Sequence, residues 1–181
     1  MAPPRILLID TCVLINLLAS GEIKPILKVA AQQSLLCSVV ENESIYLRAD
    51  DPQDGLEKVN LQPLIEDGVL TVCDIETPEE EQLYVNYASV LDDGEAMSLA
   101  LALARGWYLA TDERKARRVF LEAANNADLL TTTSTLIREW AEAKKIISTR
   151  LKSVLLQIEN RARYRPSIWD VNRQWWIDSC H

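Results

Sequence analysis

Two short apolar runs, Arg5-Ile-Leu-Leu-Ile-Asp10-Thr11 and Trp107-Tyr-Leu-Ala-Thr111-Asp112-Glu113, each end in threonine and aspartate and lead into a helical pattern. A short aliphatic run bounded by polar residues reads as a strand buried on both faces. Each run therefore delivers a carboxylate at the carboxyl end of a buried strand. In an open α/β sheet that edge is where ligands bind. Two further acids, Glu43 and Glu95, stand near the starts of intervening helical stretches. Four carboxylates able to converge on one edge, with almost no histidine to help them, predict a divalent-cation site.

The rest of the chain supplies the frame for those strands. Apolar positions 13, 14, 17 and 18 make a helical stripe over residues 11–19, and Gly21 separates it from a helix over 22–33. A brief strand at 35–38 leads into a helix over 39–48, then a polar, turn-rich loop at 50–55. A short helix at 61–66 ends at Gly68 before a strand at 69–74. Thr77-Pro78-Glu79-Glu80 carries cap, first-turn proline and capping-box acid in their expected places. An alanine-rich helix over 93–105 stops at Gly106, the strand 107–111 follows, and residues 113–124 are helical. A last short strand at 128–130 precedes helices at 134–145 and 148–163. Strands alternating with helices define an α/β fold with a mainly parallel sheet.

At 181 residues, 48% of them hydrophobic, the chain suits one domain with a real core. Its net charge of −8 excludes binding polyanions by bulk electrostatics, so a nucleic-acid substrate needs metal ions or a local basic patch. The only histidine is His181, which excludes Ser-His-Asp and Cys-His nucleophiles, histidine-based ribonuclease chemistry and His-ligated zinc. Cys12, Cys37, Cys73 and Cys180 are widely spaced and read as reduced core residues of a cytoplasmic protein, three of them in or beside predicted strands or the first helix, where a free cysteine behaves as a small hydrophobe. Asp10 and Asn16 interrupt the apolar stretch near the start, and no run reaches the ~18 residues of a membrane span.

Each acid has a structural alternative. Asp10 and Asp112 both sit where a carboxylate can cap the next helix, a contribution of about 0.5–2 kcal/mol. Their repetition at two strand ends favours a shared site. Ser38 and Glu41 have capping-box spacing, which leaves Glu43, on another face, as the functional acid. Asp92 and Glu95 have the same spacing, yet three acids within Asp92-Asp93-Gly94-Glu95 exceed what a cap needs. Their mutual repulsion would be relieved by a cation. Glu95 is the chosen ligand and Asp93 a supporting group.

Taken in order, Ile-Asp10-Thr11-Cys-Val-Leu-Ile-Asn, Ser-Val-Val-Glu-Asn-Glu43, Asp93-Gly94-Glu95-Ala and Leu-Ala-Thr111-Asp112-Glu-Arg resemble the PIN (PilT N-terminal) domain, particularly members related to VapC toxins. The resemblance covers residues 5–145. It implies a three-layer α/β/α fold around a parallel sheet. The PIN-like domain is expected over residues 1–145, and the helical pattern beyond it predicts residues 146–181 as a C-terminal extension packed on the same domain. The resemblance also implies Mg²⁺- or Mn²⁺-dependent cleavage of RNA phosphodiester bonds, with Asp10, Glu43, Glu95 and Asp112 in the metal-binding and catalytic roles. A toxin would have an antitoxin protein as partner. Two departures stand out: Cys12 occupies a position often held by asparagine, and Glu95 replaces the more frequent aspartate.

In that chemistry Asp10 and Asp112 anchor the ion, Glu43 and Glu95 complete its surroundings, and the Thr11 and Thr111 hydroxyls orient neighbouring carboxylates. Arg114, Arg117 and Arg118 share a helix face directly after Asp112 and suit RNA phosphates, unless they are simply solvated beside acids such as Glu122. Leu151, Val154, Leu155, Ile158 and Ala162 form an amphipathic stripe. Trp169, Trp175 and Trp176 extend that packing or face a second chain, as in a homodimer. A catalytically silent module binding RNA or protein is the main alternative. An aspartyl-phosphate phosphatase fits less well, because Asp10-Thr11-Cys12 lacks a second aspartate two positions on.

Overall fold

The computed structural model describes residues 4–49, 53, 55–124 and 126–180. His181 and most of the 50–55 loop lie outside the described residues. The chain forms two compact units. The first takes the described residues up to Val13, Ala31–Glu43 and Leu61–Thr132; the second takes Leu14–Ala30, Ser44–Asn60 and the residues from Thr133 onward.

The first unit is built on β1 (Ile6–Ile9), β2 (Gln33–Cys37), β5 (Thr71–Cys73), β6 (Tyr108–Ala110) and β7 (Leu130–Thr131). They pair in the order β5-β2-β1-β6-β7, and every neighbouring pair is parallel. Leu7, Leu8 and Ile9 are fully buried, which is why β1 reads as an unbroken aliphatic run. From β1 the chain builds outward to β2 and β5, then returns to β1's other side for β6 and β7. The topological switch point therefore lies between β1 and β6, where Asp10 and Thr111 leave the sheet. The Asp10 N–H donates to the Ala110 carbonyl at 3.0 Å, carrying the pairing to the last residue before the site.

Helix α6 (Asp93–Arg105) packs on β1, β2 and β6 and is flanked by α5 (Pro78–Ala88) and α7 (Arg114–Ala123). Gly94 and every residue from Ala96 to Ala102 are buried, the burial expected of a helix apolar all round. Its lower end is pinned. Arg105 Nε donates to Glu80 Oε1 at 2.6 Å, and Nη2 donates to Glu80 Oε2 at 3.1 Å and to the Asp74 carbonyl at 2.8 Å. Glu80 also completes the Thr77 capping box, so one buried carboxylate starts α5 and ties it to α6. Four N–H donors, two from Arg105 and the backbone groups of Glu76 and Thr77 just before α5, hold the Glu80 carboxyl down at about 2. The parallel sheet with flanking helices is the α/β/α class that the sequence predicts.

The second unit contains α2 (Ile23–Ala30), whose buried Ile23, Ile26, Leu27 and Ala30 face α8 (Thr133–Ala143). In it α9 (Ser148–Gln157) continues as a π-helical turn, Ile158–Ala162, and packs on α10 (Arg173–Cys180). Asp170 accepts from the Ser134 hydroxyl at 2.8 Å, and Asn172 donates to Thr135 Oγ1 at 3.1 Å, fastening the segment before α10 to the start of α8. Trp176 is fully buried and Trp175 stacks edge-on against it, whereas Trp169 is 78% exposed. Self-packing therefore explains only part of the tryptophan-rich tail.

Several expectations need correction. The helix predicted over 39–48 is α3 (Ser38–Asn42) only, and Tyr46–Arg48 is instead β3, antiparallel to β4 (Leu56–Lys58). Ile45, Leu47 and Ala49 are buried while Tyr46 and Arg48 are exposed; this period-two pattern was the missed signal. Gln33 opens β2 rather than closing α2, and residues 127–129 are a 3₁₀ turn ahead of β7. Helix α10 has no counterpart among the predicted elements. The short α4 (Gln62–Glu66) and α1 (Thr11–Ala19) are close to expectation. No helix of the described residues is long and apolar enough to cross a membrane.

Candidate functional site

All the singled-out acids belong to the first unit, at the carboxyl edge of its sheet. Asp10, the residue after β1, is only 3% exposed. Its Oδ1 accepts the Thr11 N–H at 2.9 Å. Its Oδ2 accepts the Thr111 hydroxyl at 2.8 Å and the Cys12 thiol at 3.2 Å. The two strand ends are therefore tied across the switch point by side chains as well as by the ladder. Burial pushes the Asp10 carboxyl upward, these three donors oppose that shift, and the Asp92 charge adds to it.

Asp112 follows Thr111, and its N–H donates to Cys12 Sγ at 3.3 Å. The Cys12 thiol thus donates to one strand-end acid and accepts from the backbone of the other. Burial and the Asp10 and Asp112 charges all push its pKa upward, so it remains a neutral thiol. Cys12 is only half-buried, unlike Cys37, Cys73 and Cys180, and the description of it as a core hydrophobe is wrong. Its place beside Asp10 in sequence was the available clue.

Glu43 is the C-cap of α3 rather than a residue on its face. Its Oε2 accepts the Thr11 hydroxyl at 2.8 Å. Burial first, then the Asp92 and Asp10 charges, push its carboxyl upward, against the Thr11 bond. The expected Ser38–Glu41 capping box does not form, because Cys37 is the N-cap and no side chain caps α3. Setting Glu41 aside for that box is therefore not what singles out Glu43; the Thr11 hydroxyl is.

At the start of α6, Asp92 is the N-cap and accepts the Glu95 N–H at 2.8 Å. The Glu95 side chain does not return the bond, so half of the predicted box is made. Glu95 is half-buried, and its carboxyl is pushed up to about 7 by burial, then by the Asp92, Asp10 and Glu113 charges. Asp93 instead accepts the Tyr84 hydroxyl of α5 at 3.4 Å. Arg114 and Arg118 are exposed on α7, Arg117 is half-buried, and Arg118 lies 3.9 Å from Glu122.

Asp10, Glu43 and Glu95 thus repel one another or share Asp92 as a repelling neighbour. Among the described residues no lysine or arginine pairs with any of the three. Nor, among those residues, do three or more Asp, Glu, His or Cys side chains already form a cage for a cation. The donor set still fits Mg²⁺ or Mn²⁺. The side chains offer hard oxygens, and Mg²⁺ keeps several waters and takes one or two carboxylates rather than a full protein cage.

The raised Glu95 carboxyl gives a pH prediction for the metal-free protein. A folded pKa of about 7, above the ordinary value of 4.5, means that ionising Glu95 costs folding stability as pH rises between those values. The Glu95→Gln protein should therefore melt higher than wild type at pH 8, with the gap closing towards about pH 5. A gap that is constant with pH would show that charge at position 95 is not the cause.

Comparison with known proteins gives one result and two blanks. Residues 6–171 match a family model described as a PIN domain. No curated protein and no solved structure matches. The family match spans the sheet, the switch point and all four strand-edge acids, and PIN domains are generally nucleases that use divalent metals. On that match, and with the parallel sheet already in place, the chain belongs to the PIN-domain family.

Proposed function

We propose that this protein is a Mg²⁺- or Mn²⁺-dependent endoribonuclease whose cation is held by Asp10, Glu43, Glu95 and Asp112. The observation that carries the reading is the state of Asp10. It is a buried carboxylate at the switch point, locked by Thr111 and Cys12, with Glu43 and Glu95 near enough for charge to be shared. A divalent ion held by these four acids would supply activation of water and relief of charge at the scissile phosphate. The chain's own part is positional. Thr111 fixes Asp10, Thr11 fixes Glu43, and the Asp92 cap fixes the turn that bears Glu95.

With a net charge of −8, the protein as a whole repels RNA, so a local cationic strip is needed. Arg114, Arg117 and Arg118, on the helix that starts after Asp112, supply it in this proposal. Replacing all three with alanine should flatten the slope of log affinity against log salt by about 2, at ~0.7 for each phosphate of a single strand that is no longer neutralised. An unchanged slope would assign these arginines to a solvated face.

The proposed setting is the cytoplasm, with RNA as substrate and an antitoxin protein as partner in a VapC-like pair, the toxin acting as a homodimer. The direct test is incubation of the purified chain with total RNA. Cleavage is expected with Mn²⁺ and none with EDTA. Mn²⁺ binding without cleavage would favour a silent RNA- or protein-binding module. Growth arrest on expression, relieved by the product of an adjacent small reading frame, tests the toxin role.

A further inference from the structure

Gly94 lies inside helix α6, where local energetics argue against it: glycine is a poor helix former and alanine the best. Gly21, Gly55, Gly68 and Gly106 all occupy positive φ, a region that favours glycine, and Gly94 does not. Something other than backbone conformation keeps a side chain out of position 94. A methyl placed there would stand 2.7 Å from Glu43 Oε1, nearer than such carbons approach any atom. Its other neighbours, Val40 Cγ2 at 3.5 Å and Asp92 Oδ1 at 3.7 Å, would be at ordinary van der Waals distance. The Glu43 carboxylate therefore passes across the bare backbone of α6's first turn. Its second oxygen is held by the Thr11 hydroxyl at 2.8 Å.

We propose that Gly94 is a positioning residue, whose missing side chain lets Glu43 lie across the start of α6 in reach of Thr11. The inference rests on reading Glu43 as part of a cation-dependent nuclease site. Glu43 is an exposed residue on a long, flexible side chain, and among the described residues its carboxylate has only the Thr11 hydroxyl as partner. A methyl at position 94 is thus cheap for the fold, because the carboxylate swings aside. It is costly for the site, because the same swing breaks the Thr11 bond and withdraws a ligand from Asp10 and Glu95.

Stability and function should therefore move in opposite directions in Gly94→Ala. The unfolding midpoint should hold or rise by about 2 °C, as alanine improves the helix. Mn²⁺ affinity, read from the electron paramagnetic resonance signal of free Mn²⁺, should fall about tenfold, the usual scale for disturbing a ligand's support. In a Glu43→Ala background the same change should do nothing further, since no carboxylate remains to displace. A Gly94→Ala protein that binds Mn²⁺ like wild type would overturn the proposal, as would a double variant that binds differently from Glu43→Ala alone. A wild-type chain that takes up no Mn²⁺ would instead remove the nuclease reading. The crystal structure of Gly94→Ala then decides the positioning claim. The expected result is retreat of Glu43 Oε1 by about 0.7 Å or more, to ordinary van der Waals distance, with the Thr11 bond broken. An intact Thr11–Glu43 bond would overturn it.

Discussion

Replacing Asp10 with asparagine should lower Mn²⁺-dependent RNA cleavage about a thousandfold or more, the upper range for losing one preorganised electrostatic group. The amide keeps the shape of the side chain and removes its charge. It also puts an N–H₂ where a carboxylate oxygen accepts from Thr111 and Cys12, or where the other accepts from Thr11. Stability should change little, because burial and Asp92 already disfavour the ionised acid, and neutralising it offsets part of the lost bonding. Cleavage of a fluorescent RNA and a thermal melt on the same preparation check both halves. A variant that retains a tenth of wild-type cleavage would remove Asp10 from the centre of the site. A midpoint that collapses with the activity would turn the loss into a folding effect.

The largest stability effect is expected far from that edge, at Glu80. This residue is 4% exposed, accepts two bonds from Arg105, and caps α5 through Thr77 and Glu76. Glu80→Ala leaves the half-buried Arg105 guanidinium against Trp107 with, among the described residues, only the Asp74 carbonyl and Glu76, 3.8 Å away, as partners. Breaking a buried pair from one side costs about 3 kcal/mol, or roughly 10 °C in unfolding midpoint for a chain of this size. The pH dependence has the sign opposite to that of Glu95. Because the folded carboxyl sits at about 2, below its ordinary 4.5, the contribution is full above about pH 4.5 and disappears as pH falls towards 2. Wild type should therefore lose stability more steeply than Glu80→Ala as pH falls below about 4.5. Parallel acid-denaturation curves for the two proteins would contradict this.

The two central strands were legible because burial on both faces forces an unbroken aliphatic sequence, and Leu7 to Ile9 and Leu109 have no other reading. The bounds of α6 matched the expectation, because Asp92 and Gly106 carry recognisable start and stop chemistry. The β3–β4 hairpin was missed because Ser-Ile-Tyr-Leu-Arg-Ala follows a helix directly, and its alternating pattern was too short to stand out. The site was legible as a set of acids and not as a network of bonds. Which hydroxyl holds which carboxylate depends on pairings such as Thr111 with Asp10, and nothing local encodes a bond between residues so far apart. Gly94 escaped for the same reason: its role is visible only once the distant Glu43 lies against it.

The parallel sheet has one more consequence, for the timing of activity during synthesis. Asp10 and the hydroxyl that locks it are 101 residues apart along the chain, and β1 has no β6 to pair with until that distance has been translated. A growing chain on the ribosome therefore carries Asp10 through 101 further residues of synthesis before Thr111, and then Asp112, exists to complete the edge. Long-range closure of this kind is slow and comes late in folding. On the proposed ribonuclease reading, the chain would stay inactive towards the message and ribosome producing it until Thr111 and Asp112 had emerged and β6 had paired.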